Sequence, residues 1–266
     1  MSFFLGKGTP DLNNPNAIVR WPIAREGLTE RNIYLFFSLK RRKDANKSGR
    51  YLLMVYFDCD ILVLEVGYVL KMIKGCRIHN PAILYEGYEQ IDSGFVANVD
   101  ADKIQSLFEN FVKLHNEPCF VILEVPTNLK EETTFLFNGT SPLHKDVYYI
   151  DGLTPARAVE FLNVFGEWLI HDGLSSFGIG IHSGANEIVT GKYNVVTVYT
   201  RDKQKYDGFF ETLGIRQASD LKTAWDYFNS DAPGDSFLYT YKGKNIYDLI
   251  EHLKQYGLYF AERRED

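Results

Sequence analysis

Runs of strand-forming residues come in groups along this chain, and helical patterns fall between the groups rather than after each strand. The runs Tyr51–Phe57 and Asp60–Val66 follow one another directly, and both are rich in β-branched and aromatic residues. Later runs, near 177–182, 187–190 and 193–200, are again separated only by short connections. Strict alternation of strand and helix would favour a doubly wound parallel sheet, whereas this order favours an α+β fold. We therefore predict mainly antiparallel sheets with helices packed on one face.

Two helices are predicted with defined ends. Over 101–115, apolar residues recur at helical spacing after Asp100, whose side chain is placed to cap the first turn. Over 155–172, Thr154 is the predicted cap and Gly173 the predicted end. Shorter helical patterns follow at 206–213, 221–228 and 246–253.

The length of the chain fits one large domain or two smaller ones. We predict a single α+β domain over 1–266, with a weak subdivision near 126–145 as the alternative, because turn-forming residues cluster there. Segment 61–73 is apolar but short, so its sequence fits either a pair of strands or a buried helix.

A glycine-rich segment, 175–184, contains His182 beside Ser183. Neighbouring residues on a strand point to opposite faces, so His182 is not expected to activate the Ser183 hydroxyl. Gly178 and Gly180 share one face of the predicted strand. We predict that they make room for the second helix against the sheet.

Asp58 and Asp60 form a DxD pair at the end of a predicted strand. Such a pair can hold a divalent cation in a nucleotidyl- or glycosyl-transfer enzyme, and this is the alternative function. Those enzymes also need a loop that cradles phosphate, and no glycine-rich phosphate motif precedes the pair. We favour a polar turn between two strands.

The rest of the sequence contains no complete catalytic, cofactor-binding or metal-binding motif. Its three cysteines lack CxxC spacing and its six histidines form no HExxH pattern, so we predict no cofactor and no metal. His115 and His171 lie near predicted helix ends, where a partly charged imidazole would suit the helix dipole, and we interpret both as structural.

The net charge of −6 argues against general nucleic-acid binding, which needs basic surfaces, and would suit a basic partner. The N-terminal residues show no long apolar run, and the longest apolar stretch is shorter than the roughly 18 residues that span a bilayer. Because the cysteine pattern also fits a reducing compartment, we expect a cytoplasmic protein that does not cross a membrane.

Acidic and aromatic residues are interleaved between positions 220 and 235, a composition that suits a surface receiving a basic partner. Trp225 and Phe228 fit the apolar face of a helix and are predicted to lie in the core. The predicted partner-binding residues are Asp220, Asp226, Tyr227, Asp231 and Asp235.

The stretches 206–215 and 221–226 and the sequence Gly257-Leu258-Tyr259 resemble, in their aromatic-rich and motif-poor character, bacterial immunity proteins. Those proteins neutralise toxins of contact-dependent and polymorphic secretion systems. The resemblance implies stoichiometric binding of a cognate toxin, in which the immunity protein covers the active site of the toxin or locks its fold. We therefore expect a protein-binding module with a basic toxin domain as partner, and binding rather than catalysis.

Overall fold

The computed structural model describes residues 70–79, 84–128 and 143–265, together with the backbone of four strands within the first 66 residues. The chain divides into two compact units, Met1–Tyr68 and Val69–Asp266, which are described separately below. The boundary between them falls after Tyr68. Most of the predicted subdivision near 126–145 lies outside the described residues, and the single-domain organisation stays a prediction.

The first unit contains a four-stranded antiparallel sheet in the order β1-β2-β3-β4. Strand β4 confirms a strand at the start of the ambiguous segment 61–73, whereas residues 70–73 have no regular structure. The basic stretch 40–50 lies outside the described residues. The strands are β1 (Ile18–Arg20), β2 (Ile33–Phe36), β3 (Tyr51–Phe57) and β4 (Asp60–Val66).

The second unit is built on an eight-stranded sheet in which every neighbouring pair is antiparallel. A separate pair of short strands, β5 (Cys76–Arg77) and β13 (Asp235–Ser236), lies outside this sheet. The strands of the large sheet are β6 (Gly87–Ile91), β7 (Gly94–Asn98), β8 (Cys119–Pro126), β9 (His144–Leu153), β10 (Ser176–Ile181), β11 (Asn186–Thr190), β12 (Val195–Tyr199) and β14 (Tyr259–Glu265). They are ordered β14-β9-β8-β10-β11-β12-β7-β6. The predicted α+β fold is therefore confirmed.

In the described residues there are three α-helices: α1 (Ala101–His115), α2 (Pro155–His171) and α3 (Ile246–Leu253). Helices α1 and α2 pack against each other and against the same face of the large sheet, and α3 packs against α2. Phe108 of α1 stacks on Phe177 of β10 with ring centroids 4.9 Å apart, and both rings are buried. None of the helices among the described residues is both long and apolar enough to cross a bilayer.

The glycines of β10 lie on the opposite face of the sheet from the one predicted. A Cβ atom on Gly180 would lie 2.1 Å from the ring of Phe120, and one on Gly178 would lie 2.7 Å from Ile122. Both neighbours belong to β8 and are paired with these glycines across the sheet. The glycines therefore admit side chains of β8 on the face away from α1 and α2, and the prediction that they accommodate α2 is wrong.

The C-terminal third has less helix than the sequence predicts. The predicted helix 206–213 is replaced by two short 3₁₀ turns, Lys203–Tyr206 and Glu211–Leu213, with Gly208 at φ +74° between them. The predicted helix 221–228 shortens to one 3₁₀ turn, Ala224–Tyr227, whereas the α3 prediction is confirmed. Gly208 interrupts the first segment, and the 3₁₀ turns contain three or four residues each, too few for a stable α-helix.

Two buried polar side chains join segments that are far apart in the sequence. Asn194 bonds to the irregular segment 70–73, and Asp172, the C-cap of α2, bonds to Tyr239. Gly75 then passes close to Gly173: a Cβ on Gly75 would lie 2.2 Å from the Gly173 nitrogen, so no other residue fits there without a shift of the backbone.

Candidate partner-binding surface

The predicted partner-binding residues all lie on the surface of the second unit, in the irregular segment that precedes α3. We call the set formed by Asp220, Trp225, Asp226, Tyr227, Asp231 and Asp235 the acid–aromatic surface. All six residues are exposed. The local elements that carry them are the 3₁₀ turn Ala224–Tyr227, the bridged turn Asn229–Ala232 and strand β13.

Trp225 is exposed, contrary to the prediction that it lies in the core. Trp225 is 54% exposed, whereas Phe228 is partly buried and packs on the core. An α-helix would have placed both residues on one buried face. The short 3₁₀ turn instead buries Ala224 and ends before Phe228, which is extended, so Trp225 points outward. The short length of the apolar pattern over 221–228 is the sequence signal that could have indicated a single turn rather than an α-helix.

The exposed indole is held from beneath by two other rings. Tyr193 and Phe228 meet Trp225 edge-on, with centroid distances of 5.0 Å and 5.5 Å. Gly234 lies against the same rings, since a Cβ there would come within 2.3 Å of Phe228. Edge-to-face contacts of this kind fix ring orientation as well as burying area. Trp225 is therefore a positioned aromatic side chain rather than a freely rotating one.

Asp226 is fixed by a capping box. Its carboxylate oxygen Oδ2 accepts hydrogen bonds from the Thr223 backbone nitrogen at 2.7 Å and from the Thr223 hydroxyl at 2.9 Å. These two bonds lower the pKa of Asp226, because they favour the ionised form. The charge beside Trp225 is thus present throughout the neutral range of pH.

The next turn is held in a similar way, by the side chain of Asn229. Its Oδ1 accepts from the backbone nitrogens of Asp231 and Ala232, each at 3.0 Å. This Asx-type arrangement fixes the loop that carries Asp231.

The carboxylates of the surface are largely without counter-ions. Lys222 Nζ lies 2.8 Å from Asp220. Within the described part of the chain, no ion pair involves Asp226, Asp231 or Asp235. The exposed segment that carries Trp225 therefore also carries three carboxylates without an ion-pair partner among the described residues.

The DxD alternative receives no support from the described residues. Asp60 is the first residue of β4, and Asp58 lies outside the described residues. Among the described residues, no group of three or more His, Cys, Asp or Glu side chains is arranged to hold a metal ion. A metal-dependent transfer activity stays an untested prediction.

His182 and Ser183 bond to different partners. His182 Nε2 lies 3.3 Å from Asp151 Oδ1, while the Ser183 hydroxyl donates to Glu117. The contacts agree with the expectation that the pair does not form a nucleophile and its base.

His115 and His171 are structural, but burial rather than the helix dipole decides their charge. Burial, reinforced by the ammonium group of Lys205, lowers the pKa of His115 to about 4. Burial also lowers the pKa of His171, against the opposing effect of Glu167. The imidazole of His115 is neutral at pH 7, so the prediction of partial charge is wrong for this residue, and burial shifts the pKa of His171 in the same direction.

The neutral form of His115 is required by its hydrogen bonds. Lys205 Nζ donates to Nδ1 at 2.9 Å, so the ring proton is on Nε2, which lies 2.8 Å from the Tyr206 hydroxyl oxygen. Tyr206 donates in turn to Asn186 Oδ1 at 3.3 Å. Protonating His115 would place a second hydrogen against the Lys205 ammonium.

We expect the stability of the protein to fall as the pH drops from about 6.5 to about 4. In that window the unfolded state binds a proton at His115 that the folded state does not. The stability contributed by neutral His115 is therefore complete above about pH 6.5 and is lost as the pH falls toward 4. A shift of this size corresponds to at most about 3 kcal/mol of unfolding free energy. Urea unfolding at several pH values measures it.

The variant His115→Gln provides the test, because an amide can accept from Lys205 and donate to Tyr206 without titrating. We expect a shallower pH dependence in this variant than in the wild type. His252→Gln, on α3, is the matched control and should keep the wild-type slope. Equal slopes in the wild type and His115→Gln would show that His115 does not carry the effect.

Comparison of the chain with protein-family models, with curated proteins and with solved structures found no match in any of the three.

Proposed function

We propose that this chain is a protein-binding module that neutralises a cognate basic protein, most simply a toxin, by direct stoichiometric binding. The observation that carries the proposal is the acid–aromatic surface, in which Trp225 is exposed and positioned by ring contacts. In the same segment Asp226, Asp231 and Asp235 form no ion pair with any residue that the structure describes. The sequence resemblance to bacterial immunity proteins supplies the class of partner. A cytoplasmic location belongs to the same proposal.

The chemistry of the surface favours a protein partner. Tryptophan and tyrosine are the residues that most often dominate binding energy at interfaces, because they bury a large area with few rotatable bonds. Trp225 and Tyr227 supply that area. Since Trp225 and Asp226 are already fixed by their neighbours, little conformational entropy is lost when a partner binds.

Charge gives the surface its selectivity. The carboxylates of Asp226, Asp231 and Asp235 attract a basic surface and accelerate its approach, and they repel acidic proteins. The net charge of −6 acts in the same direction at longer range. We therefore expect the association rate to fall steeply with added salt, because exposed charges are screened.

Affinity capture from the native organism tests the proposal. The tagged wild-type chain is expected to co-purify with one basic protein at a 1:1 ratio. Trp225→Ala is expected to weaken binding of that protein by about 30-fold or more, the range of an aromatic hot spot. Asp231→Asn with Asp235→Asn should slow association at low salt and have less effect at high salt.

Tyr256→Ala with Asp207→Asn provides the matched control. Tyr256 is 52% exposed, close to the value for Trp225, but belongs to another part of the unit. The control should bind as the wild type does. Failure to capture any protein, or a partner retained equally by Trp225→Ala, would contradict the proposal. A melting temperature that rises with Mg²⁺ or Mn²⁺, and further with nucleotide, would favour the transfer enzyme instead.

A further inference from the structure

A groove of about 340 Å³ lies between α2, α3 and the turn that precedes α3. Its volume is at the lower end of the range for sites that bind small molecules. None of its lining residues belongs to the acid–aromatic surface. The apolar part of the wall is formed by Val164, Phe165, Trp168, Tyr241 and Leu249.

The aromatic wall is held in place by a hydrogen bond and a ring contact. The Trp168 indole Nε1 donates to the Lys244 carbonyl oxygen at 3.2 Å. The Tyr241 ring meets Trp168 edge-on, with centroids 4.8 Å apart. Because the indole N–H is satisfied within the protein, the exposed part of Trp168 presents its apolar surface to the groove.

The turn at the rim has an unfavourable backbone conformation for its sequence. Tyr241 and Lys244 exchange backbone hydrogen bonds of 2.9 Å and 3.0 Å, which closes a two-residue turn. Both central residues have positive φ, +51° at Lys242 and +75° at Gly243. Turns of this type favour asparagine or glycine at the first position. A lysine there accepts backbone strain, and its ammonium lies 4.9 Å from the centroid of the Tyr241 ring.

Two carboxylates and two ammonium groups line the groove, and both carboxylates are engaged by groups other than these two lysines. Glu167 is already engaged by Lys74 and by the Tyr239 hydroxyl, which lies 2.7 Å away. Asp248 accepts from the Asn245 backbone nitrogen at 2.9 Å in the capping box of α3.

Lys242 and Lys244 are both exposed, and neither forms an ion pair with any residue that the structure describes. The groove therefore has two ammonium groups without an ion-pair partner among the described residues, beside an aromatic wall, in a protein whose net charge is negative.

We propose that this groove binds a small aromatic carboxylate. The flat ring of the ligand packs against Trp168 and Tyr241, and its carboxylate accepts hydrogen bonds from the ammonium groups of Lys242 and Lys244. The negative net charge of the protein discourages non-specific adsorption of anions, so binding depends on this local pair of lysines. The site is independent of the proposed partner binding and holds whether or not that proposal is correct.

Isothermal titration calorimetry with 2-naphthoate tests the site, and 2-naphthalenemethanol is the neutral comparison ligand. We expect the carboxylate to bind with a dissociation constant of about 1 mM or below, which is modest because the groove is open. The alcohol should bind at least about fivefold more weakly, since it lacks the charge. The double variant Lys242→Gln with Lys244→Gln should weaken naphthoate binding by about tenfold. Lys113→Gln, on α1, should leave it unchanged.

Nuclear magnetic resonance places the ligand. In a ¹⁵N-labelled sample the indole N–H resonance of Trp168, assigned with Trp168→Phe, should shift on adding naphthoate, while that of Trp225 should not. The proposal would be overturned if naphthoate did not bind at about 10 mM, which is tenfold above the expected dissociation constant. Equal affinity for the alcohol, or full affinity for naphthoate in the double lysine variant, would also overturn it. So would a shift confined to Trp225.

Discussion

Replacing Asn194 with aspartate is expected to lower the free energy of unfolding by about 4 kcal/mol, although the two side chains have nearly the same shape. Asn194 is 0% exposed. Its Oδ1 accepts from the Ile73 nitrogen at 2.8 Å, and its Nδ2 donates to the carbonyl oxygens of Lys71 and Val99 at 2.8 Å and 2.7 Å. A carboxylate would keep the first bond, but it would turn a second oxygen toward two carbonyl oxygens and bury a charge.

The backbone at this position does not complicate the comparison. Asn194 has φ +65°, in the left-handed region, where asparagine and aspartate are both tolerated. The cost therefore reflects the lost donors and the buried charge rather than backbone strain. Urea unfolding monitored by circular dichroism measures it.

Asn229→Asp provides the matched control. Asn229 is exposed, and its Oδ1 accepts from two backbone nitrogens, a role that a carboxylate oxygen retains. We expect a change within about 1 kcal/mol. Similar losses in the two variants would show that the donors of Asn194 contribute little to stability.

The parts of the fold that the sequence predicts well are those in which neighbouring residues decide the structure. Asp100 accepts from the Asp102 nitrogen at 2.9 Å, as expected of a cap, and helix α1 begins at the next residue. Thr154 caps α2 in the same way. Caps and apolar spacing act within one or two turns, so the printed sequence contains all the information that fixes these ends.

Two of the wrong predictions concern which of two faces a side chain occupies. Gly178 and Gly180 are correctly placed on a strand, but the face that they line depends on Phe120 and Ile122 of another strand. Trp225 is exposed because its helix is a single 3₁₀ turn. In both cases a local pattern fits two arrangements, and contacts with distant residues select one.

Long-range polar contacts are the part of the structure that sequence reasoning does not reach. Asn194 bonds to Ile73, which lies 121 positions earlier, and no property of either residue marks the pair. The same holds for the groove: Trp168 and Lys244 are 76 positions apart. The acidic residues of the acid–aromatic surface lie close together in the sequence, so their location in one exposed segment could be predicted.

The second large effect is expected at Asp172, where replacement by alanine should lower the free energy of unfolding by about 4 kcal/mol. Asp172 is 2% exposed. Its Oδ2 accepts from the backbone nitrogens of Leu174 and Ser175 at 3.1 Å and 2.9 Å, and its Oδ1 accepts from that of Tyr239 at 2.8 Å. Alanine would leave these three N–H groups without their acceptor, and the packed surroundings leave little room for water.

A graded series separates the bonds from the charge. Asp172→Asn keeps one acceptor oxygen and should cost about half as much as alanine, because its amide group must face at least one of the three donors. Asp202→Ala removes a single long bond, 3.4 Å to the Lys205 nitrogen at the start of an exposed 3₁₀ turn, and should cost about 1 kcal/mol or less.

Hydrogen exchange locates the effect. The Tyr239 amide is the only one of the three donors that lies far from Asp172 in the sequence. Faster hydrogen exchange of this amide in both Asp172 variants would show that the carboxylate holds residues 237–239 against the end of α2. The segment carrying Tyr239 leads directly into the turn that forms the rim of the groove. Asp172→Ala could instead lower the free energy of unfolding no more than Asp202→Ala does, and the Tyr239 amide could stay protected. That result would mean that the backbone hydrogen bonds of Gly75, Gly173 and Phe237 are sufficient to hold this region together.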